Sequence, residues 1–204
     1  ANENLHLKLD FTHSKYLIQL AGQLTDSMFH VDPRMSTRSR NYYSPNIYIP
    51  SITLDWNMNA STKLHFSQSA VLGDRSSALF DKPADIVDAI SPTTLQYANR
   101  QVDIDNYHSY TTELRILHNY KLFGQTSNLT AGLQYLNNDL HRRQQGIGTT
   151  GVDYNLDLVT PGWGRDMNFK TGNIAFFAEN RWSLTNKFSI NTSARIEIGQ
   201  TDFT

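Results

Sequence analysis

The stretch Asp166 to Thr204, DMNFKTGNIAFFAENRWSLTNKFSINTSARIEIGQTDFT, decides the fold. Phe188, Ile190, Thr192, Ala194, Ile196 and Ile198 share one parity, and Ser189, Asn191, Ser193, Arg195, Glu197 and Gly199 take the other. Side chains on a strand alternate faces, so this arm is apolar on one side and carries an Arg and a Glu on the other. The preceding arm sets Ile174, Phe176, Ala178 and Trp182 against Asn173, Glu179 and Arg181, with a tight turn at Leu184-Thr185-Asn186-Lys187 between them. A long hairpin with one apolar face and one short turn is the repeating unit of antiparallel transmembrane β-barrels.

Upstream segments repeat the unit. Leu5, Leu7, Leu9 and Phe11 predict a first strand, Thr12-His13-Ser14-Lys15 a short turn, and Tyr16 to Leu24 a second strand. Ile52, Leu54 and Trp56 mark a third, whose Pro50 removes a ladder donor and predicts imperfect pairing. After a turn at Asn59-Ala60-Ser61, Leu64 and Phe66 belong to a fourth strand. Tyr110, Leu114, Ile116 and Tyr120 define one face of a fifth, and Leu129, Ala131, Leu133 and Tyr135 follow the turn at Phe123 to Asn128. Long polar stretches separate these pairs, at roughly residues 26–46, 72–106 and 137–165. The second contains DKPADIVDAISP, which predicts a short helix stopped by Pro92. About eight strands result, and their connections alternate short and long. Short periplasmic turns and long extracellular loops are the mark of an outer-membrane barrel. Tyr16, Trp56, Tyr120 and Trp182 lie near the expected turns, where an aromatic girdle belongs. In a soluble all-β fold the same aromatics would cap a core.

Composition agrees with a barrel and excludes several other classes. The 204 residues carry a net charge of -1, which argues against a nucleic-acid surface. There are no cysteines, so disulfide scaffolds and thiolate metal sites are excluded. Mean hydropathy is -0.49. No apolar run reaches the roughly 18 residues of a membrane helix, which leaves strand crossings open. Ala1-Asn2-Glu3-Asn4 shows neither a basic nor an apolar leader region, and the chain reads as an internal piece of something longer.

The segments NIAFFAENRWSLTNKFSINTSARIEIGQTDF, GDRSSALF, RQVDIDNYHSYTTELRILHNY and RRQQGIGTTGVDYNLD resemble barrel strands of TonB-dependent outer-membrane receptors, most of all the ferric-citrate branch. The resemblance implies a bacterial outer-membrane location and a barrel of about 22 strands around an N-terminal plug. It also implies uptake of a ferric chelate driven by the TonB complex, with no covalent chemistry and no resident cofactor. Residues 1–204 then form part of the barrel domain, in contact with outer-membrane lipid and lacking the plug through which TonB acts.

Within that frame the loop cations are the ligand candidates: Arg34, Arg38, Arg40, Arg75, Arg100, Gln101, Arg142, Arg143 and Arg165, with Gln144 and Gln145 as neutral donors. Guanidinium forks match carboxylates bidentately, which suits an anionic chelate. Solvation or pairing between loops competes with that role, and Asp74, Asp81, Asp85, Asp88, Asp103 and Asp105 offset the basic character of the second stretch. Glu113, Arg115, Glu179, Arg181, Arg195 and Glu197 occupy polar strand faces, where they are expected to line the lumen and pair across neighbouring strands. The seven histidines are scattered and HEXXH is absent. His108-Ser109 alone does not make a triad, and Gly146 to Gly151 reads as a loop tip rather than a phosphate loop. A receptor for haem or another nutrient, a soluble all-β carbohydrate-binding module and a barrel enzyme stay open as alternatives.

Overall fold

Alternating sequence builds one antiparallel sheet. The computed structural model describes residues 3–204; Ala1 and Asn2, of the opening Ala1-Asn2-Glu3-Asn4, lie outside the described residues. In chain order the elements are β1 (Leu5–Lys15), β2 (Ile18–Gln19), α1 (Asp26–Val31), β3 (Tyr42–Asn59), β4 (Thr62–Leu79), β5 (Gln101–Leu122), β6 (Gln125–Gly148), β7 (Leu158–Thr160), β8 (Arg165–Thr185) and β9 (Phe188–Phe203). The sheet runs β1-β3-β4-β5-β6-β8-β9, with β2 beside β3 and β7 beside β6, and it is open, with β1 and β9 at its edges. Among the described residues no helix is long and apolar enough to cross a membrane.

Seven strands are long, and the connections between them alternate as expected. The three short connections are two residues each, and at Phe123-Gly124 φ is 51° and 77°. Positive φ at both central residues is the type I′ geometry whose twist matches a two-residue hairpin. The first hairpin expected from sequence does not form. β1 pairs with Trp56 to Asn46, and Ile18 and Gln19 continue onto Tyr43 and Tyr42 in the same register. Thr12-His13-Ser14-Lys15 has no Gly, Asn, Asp or Pro to set a turn, so the chain runs on. Tyr16 therefore lies at the loop end of the sheet, opposite Trp56, Tyr120 and Trp182 near the short turns. Pairing between β3 and β4 skips Ile49 and Pro50, as the proline predicts.

Two further expectations change. DKPADIVDAISP forms no helix; Ile86 N donates to Pro83 O and Leu95 N to Ser91 O in isolated turns. Pro83 and Pro92 remove donors there, and the Asp88 carboxylate is held by Arg100. The helix that does form, α1, is capped by the Thr25 hydroxyl, which accepts from Met28 N at 3.2 Å. The second and third long connections shrink to residues 80–100 and 149–164, because the strands continue through segments expected as loops, and the first moves to residues 20–41.

Register gathers the apolar residues into rows. Leu7, Leu54, Phe66, Leu114, Leu133, Phe176 and Ile196 are successive cross-strand partners. Leu5, Trp56, Leu64, Ile116, Ala131, Ala178 and Ala194 form the next row. These side chains are not a core: Phe176 is 52% exposed and Ile196 67%. A continuous exposed apolar face this wide is untenable in water and suits lipid. On β5 it runs from Tyr110 to Tyr120, which matches the roughly 9–11 residues that a tilted strand needs to cross a bilayer. β5 has 22 residues and β6 has 24, so both extend well past that band at the loop end.

Candidate functional site

The extended strands carry a charged cluster on the polar face. Arg75 on β4 lies opposite Asp105 on β5, and Asp105 lies opposite Arg142 on β6. Direct cross-strand partners share a face, so three adjacent strands bring these side chains together. Arg75 Nε and Nη2 reach Asp105 Oδ2 at 2.8 and 2.7 Å. Arg142 Nε donates to Oδ1 at 3.0 Å and its Nη2 to Oδ2 at 3.1 Å. The Asp105 side chain is only 4% exposed, whereas Arg75 and Arg142 keep 40% and 29%. One carboxylate thus orients two guanidiniums, Nη1 of each arginine stays outside the pairing with Asp105, Arg75 also hydrogen-bonds Tyr43, and Asp103 shares the cavity wall with Arg75. Beside it lies a cavity of about 200 Å³, lined by Tyr43, Arg75, Asp103, Asp105 and Gln144 among others.

Electrostatics hold the cluster charged. Arg75 and Tyr107 lie beyond the apolar band, towards the loop end. Burial opposes the Arg75 charge, but the hydrogen bond and charge of Asp105 outweigh it, and the pKa rises. Burial also pushes the Tyr107 phenol up, against the pull of Arg75, so it stays a neutral hydroxyl.

Other sequence candidates hold the loops. Arg100, 3% exposed, forms a bidentate pair with Asp88, Nη1–Oδ2 at 2.8 Å and Nη2–Oδ1 at 3.0 Å. Arg40 stands 3.7 Å from the same carboxylate, 3.9 Å from the Tyr97 ring centroid, and donates to the Tyr97 hydroxyl. Arg38, also 3% exposed, donates to Lys82 O and Pro83 O at 2.8 Å and packs over Phe80. Arg34 is exposed beside Asp32 at 4.0 Å. Gln101 Nε2 and Gln145 N both donate to Asp103. Arg143 points to the opposite sheet face from Arg142, donating to Asn106 Oδ1 at 2.8 Å with Trp163 over its guanidinium. Arg165 starts β8 opposite Gln144, exposed. The nine candidates therefore separate into a polar-face pair, a loop-holding set around Asp88, and scattered surface positions.

The charges on the lower polar face pair differently from the sequence expectation. Glu113 Oε1 meets Arg115 Nη2 at 2.5 Å, and Arg195 Nε pairs with Glu197 Oε1, each two residues apart on a single strand. Cross-strand pairing fails because the residues opposite are not countercharges: Gln134 faces Glu113, Gly132 faces Arg115, and Phe177 faces Arg195. The Phe177 ring lies between the two guanidiniums, 5.7 Å from Arg115 and 5.8 Å from Arg195. Glu179 and Arg181 sit nearer the short-turn end, opposite Ser193 and Asn191.

Sequence reading missed the organising acids. Asp88 and Asp105 register there as cancelling charge, whereas each is the buried centre around which arginines converge. The available signal was the continued alternation of Asp103, Asp105, Tyr107 and Ser109 into β5.

The model of the family described as TonB dependent receptor-like, beta-barrel, matches residues 4–204. No curated protein matched the sequence. That family consists of outer-membrane receptors and transporters that work with TonB, and its barrel domain places this chain in the bacterial outer membrane. A lipid-faced antiparallel sheet with short turns at one end and long loops at the other matches a section of such a barrel wall, and the chain belongs to the TonB-dependent receptor β-barrel family.

Proposed function

We propose that this sheet is vestibule wall in a receptor for an anionic ferric chelate. The long loops and the apices of a plug enclose the ligand, plug rearrangement driven through TonB passes it inward, and no covalent step occurs. The observation that carries the reading is the Asp105 cluster: two pre-oriented guanidiniums on the lumenal wall outside the membrane band. Pre-orientation matters because an anion meeting fixed donors does not have to order them. The likeness to the ferric-citrate branch makes ferric citrate the first ligand to titrate, ahead of haem or another nutrient. The exposed apolar face weighs against a soluble carbohydrate-binding module.

The test is calorimetric titration of the full-length receptor with ferric citrate, beside Arg75→Gln and Arg142→Gln. Each substitution removes one charge-assisted contact and is expected to weaken binding by at least about tenfold. Affinities within twofold of the parent in both variants would refute the assignment.

A further inference from the structure

Beyond the membrane band the two faces exchange character on β5, β6, β8 and β9, while Tyr48 and Leu72 keep the outer face apolar on β3 and β4. On the outer face, the partners His108, Asp139, Lys170 and Asp202 make a polar row, with Lys170 Nζ 3.8 Å from Asp139 Oδ2. On the lumenal face of the same strands, Tyr107 partners Leu140, Leu140 partners Phe169, and Phe169 partners Phe203. The Phe169 and Phe203 rings are 5.0 Å apart and tilted by 38°. Tyr107, Leu140 and Phe169 are half-buried and Phe203 is 61% exposed. A barrel lumen is polar at membrane depth. Here the apolar side chains point inward where the wall stands clear of lipid, so lipid contact does not explain them.

The stripe adjoins the arginine cluster. Arg75, Asp105 and Arg142 lie two residues along from Gly73, Tyr107 and Leu140 on their strands, about 7 Å away. From this adjacency we infer that the stripe receives an apolar ring carried by the anionic ligand, so that the receptor takes an aryl-bearing chelate in preference to a wholly polar one. The inference rests on the chelate reading above and narrows it. An acid or phenolate held by Nη1 of Arg75 and Arg142 sets an attached ring against Tyr107 and Leu140. Aromatic walls and guanidinium planes both stack on such a ring. A purely structural packing surface would not need the oriented cations at its margin.

The full-length receptor is titrated with ferric citrate and with the ferric complex of 2,3-dihydroxybenzoate, in the parent and in Leu140→Ser, Phe169→Ser and Arg142→Gln. The aryl complex is expected to bind at least tenfold tighter than citrate. Leu140→Ser and Phe169→Ser should erase most of that ratio while citrate affinity stays within twofold, and Arg142→Gln should weaken both ligands. Citrate binding as tightly as the aryl complex overturns the inference and leaves the chelate reading intact. Equal weakening of both ligands by the two serine variants also overturns it, because the stripe is then packing for another part of the receptor. If neither complex binds the parent, the chelate reading falls and this inference falls with it.

Discussion

Asp88→Ala should release the second extracellular connection without unfolding the sheet. Asp88 and Arg100 are 4% and 3% exposed and share two hydrogen bonds of 2.8 and 3.0 Å. Removing one partner of a buried pair costs about 3–5 kcal/mol, because the other charge stays behind in low dielectric. The Phe80 and Tyr97 rings, 5.5 and 5.6 Å from the Arg100 guanidinium, offset a fraction of that. A net loss of about 3–4 kcal/mol falls on residues 80–100, whose other anchors include Arg38 on two carbonyls, Asn41 on Phe80 N, Gln23 on Lys82 O, Arg40 on the Tyr97 hydroxyl, and Asn99 and Arg100 on Gly148 and Thr149. At 1.4 kcal/mol per decade, local opening becomes about a hundredfold to a thousandfold more frequent. Hydrogen exchange by mass spectrometry on the full-length receptor reads this directly. Peptides covering Ile86 and Leu95 should exchange faster by that factor, while those covering Tyr110 to Tyr120 stay unchanged. The pair Asp88→Leu with Arg100→Met removes both charges and should recover most of the protection. A change below threefold in Asp88→Ala would refute the claim that this ion pair holds the connection.

Three further experiments test the faces and the packing. Leu114→Arg, on the lipid face, should lower stability by about 2–4 kcal/mol in equilibrium urea unfolding from bilayers, whereas lumenal Glu113→Gln should shift it by less than about 1 kcal/mol. Gly132→Ala would drive a Cβ into Phe177 Cζ and place it 2.8 Å from Leu114 O. Overpacking of that kind costs about 1–3 kcal/mol, and adding Phe177→Ala should restore only part of it, because the backbone oxygen remains. Asn41→Ala strands the buried Phe80 amide, now bonded at 2.7 Å, and should speed its exchange by the equivalent of about 1–3 kcal/mol.

Much of the sheet was legible because strand alternation is a local property. Trp182 and Phe188 flank their turn as read, and Leu114, Leu133 and Phe176 share a face as read. Alternation does not say where a strand stops, however. At Leu140 to Arg143 the inward positions are Leu140 and Arg142 and the outward ones His141 and Arg143, so charge falls on both faces and a polarity-based reading sees a loop. The backbone ladder to β5 and β8 continues regardless of which side chains it carries. The missing turn at Thr12 to Lys15 is the converse case. Two alternating segments in sequence resemble a hairpin whether or not they lie side by side, and only pairing to β3 in one continuous register decides between the two.

The charges show why the site was harder to read than the fold. Lys8 with Asp10, Glu113 with Arg115 and Arg195 with Glu197 each pair two residues along a single strand. Strand geometry puts i and i+2 on one face, so such pairs neutralise each strand whatever its neighbours carry, and they can be found in one line of sequence. Asp105 works differently: its partners come from β4 and β6, 30 residues before it and 37 after it. Their convergence is a consequence of register, and a one-residue slip of either neighbour would turn its arginine to the other face. The lower lumenal pairs cancel where they stand, whereas Asp105 gathers arginines from two other strands beyond the membrane band. The gathering of Arg75 and Arg142 on Asp105 therefore depends on three strands being held in register.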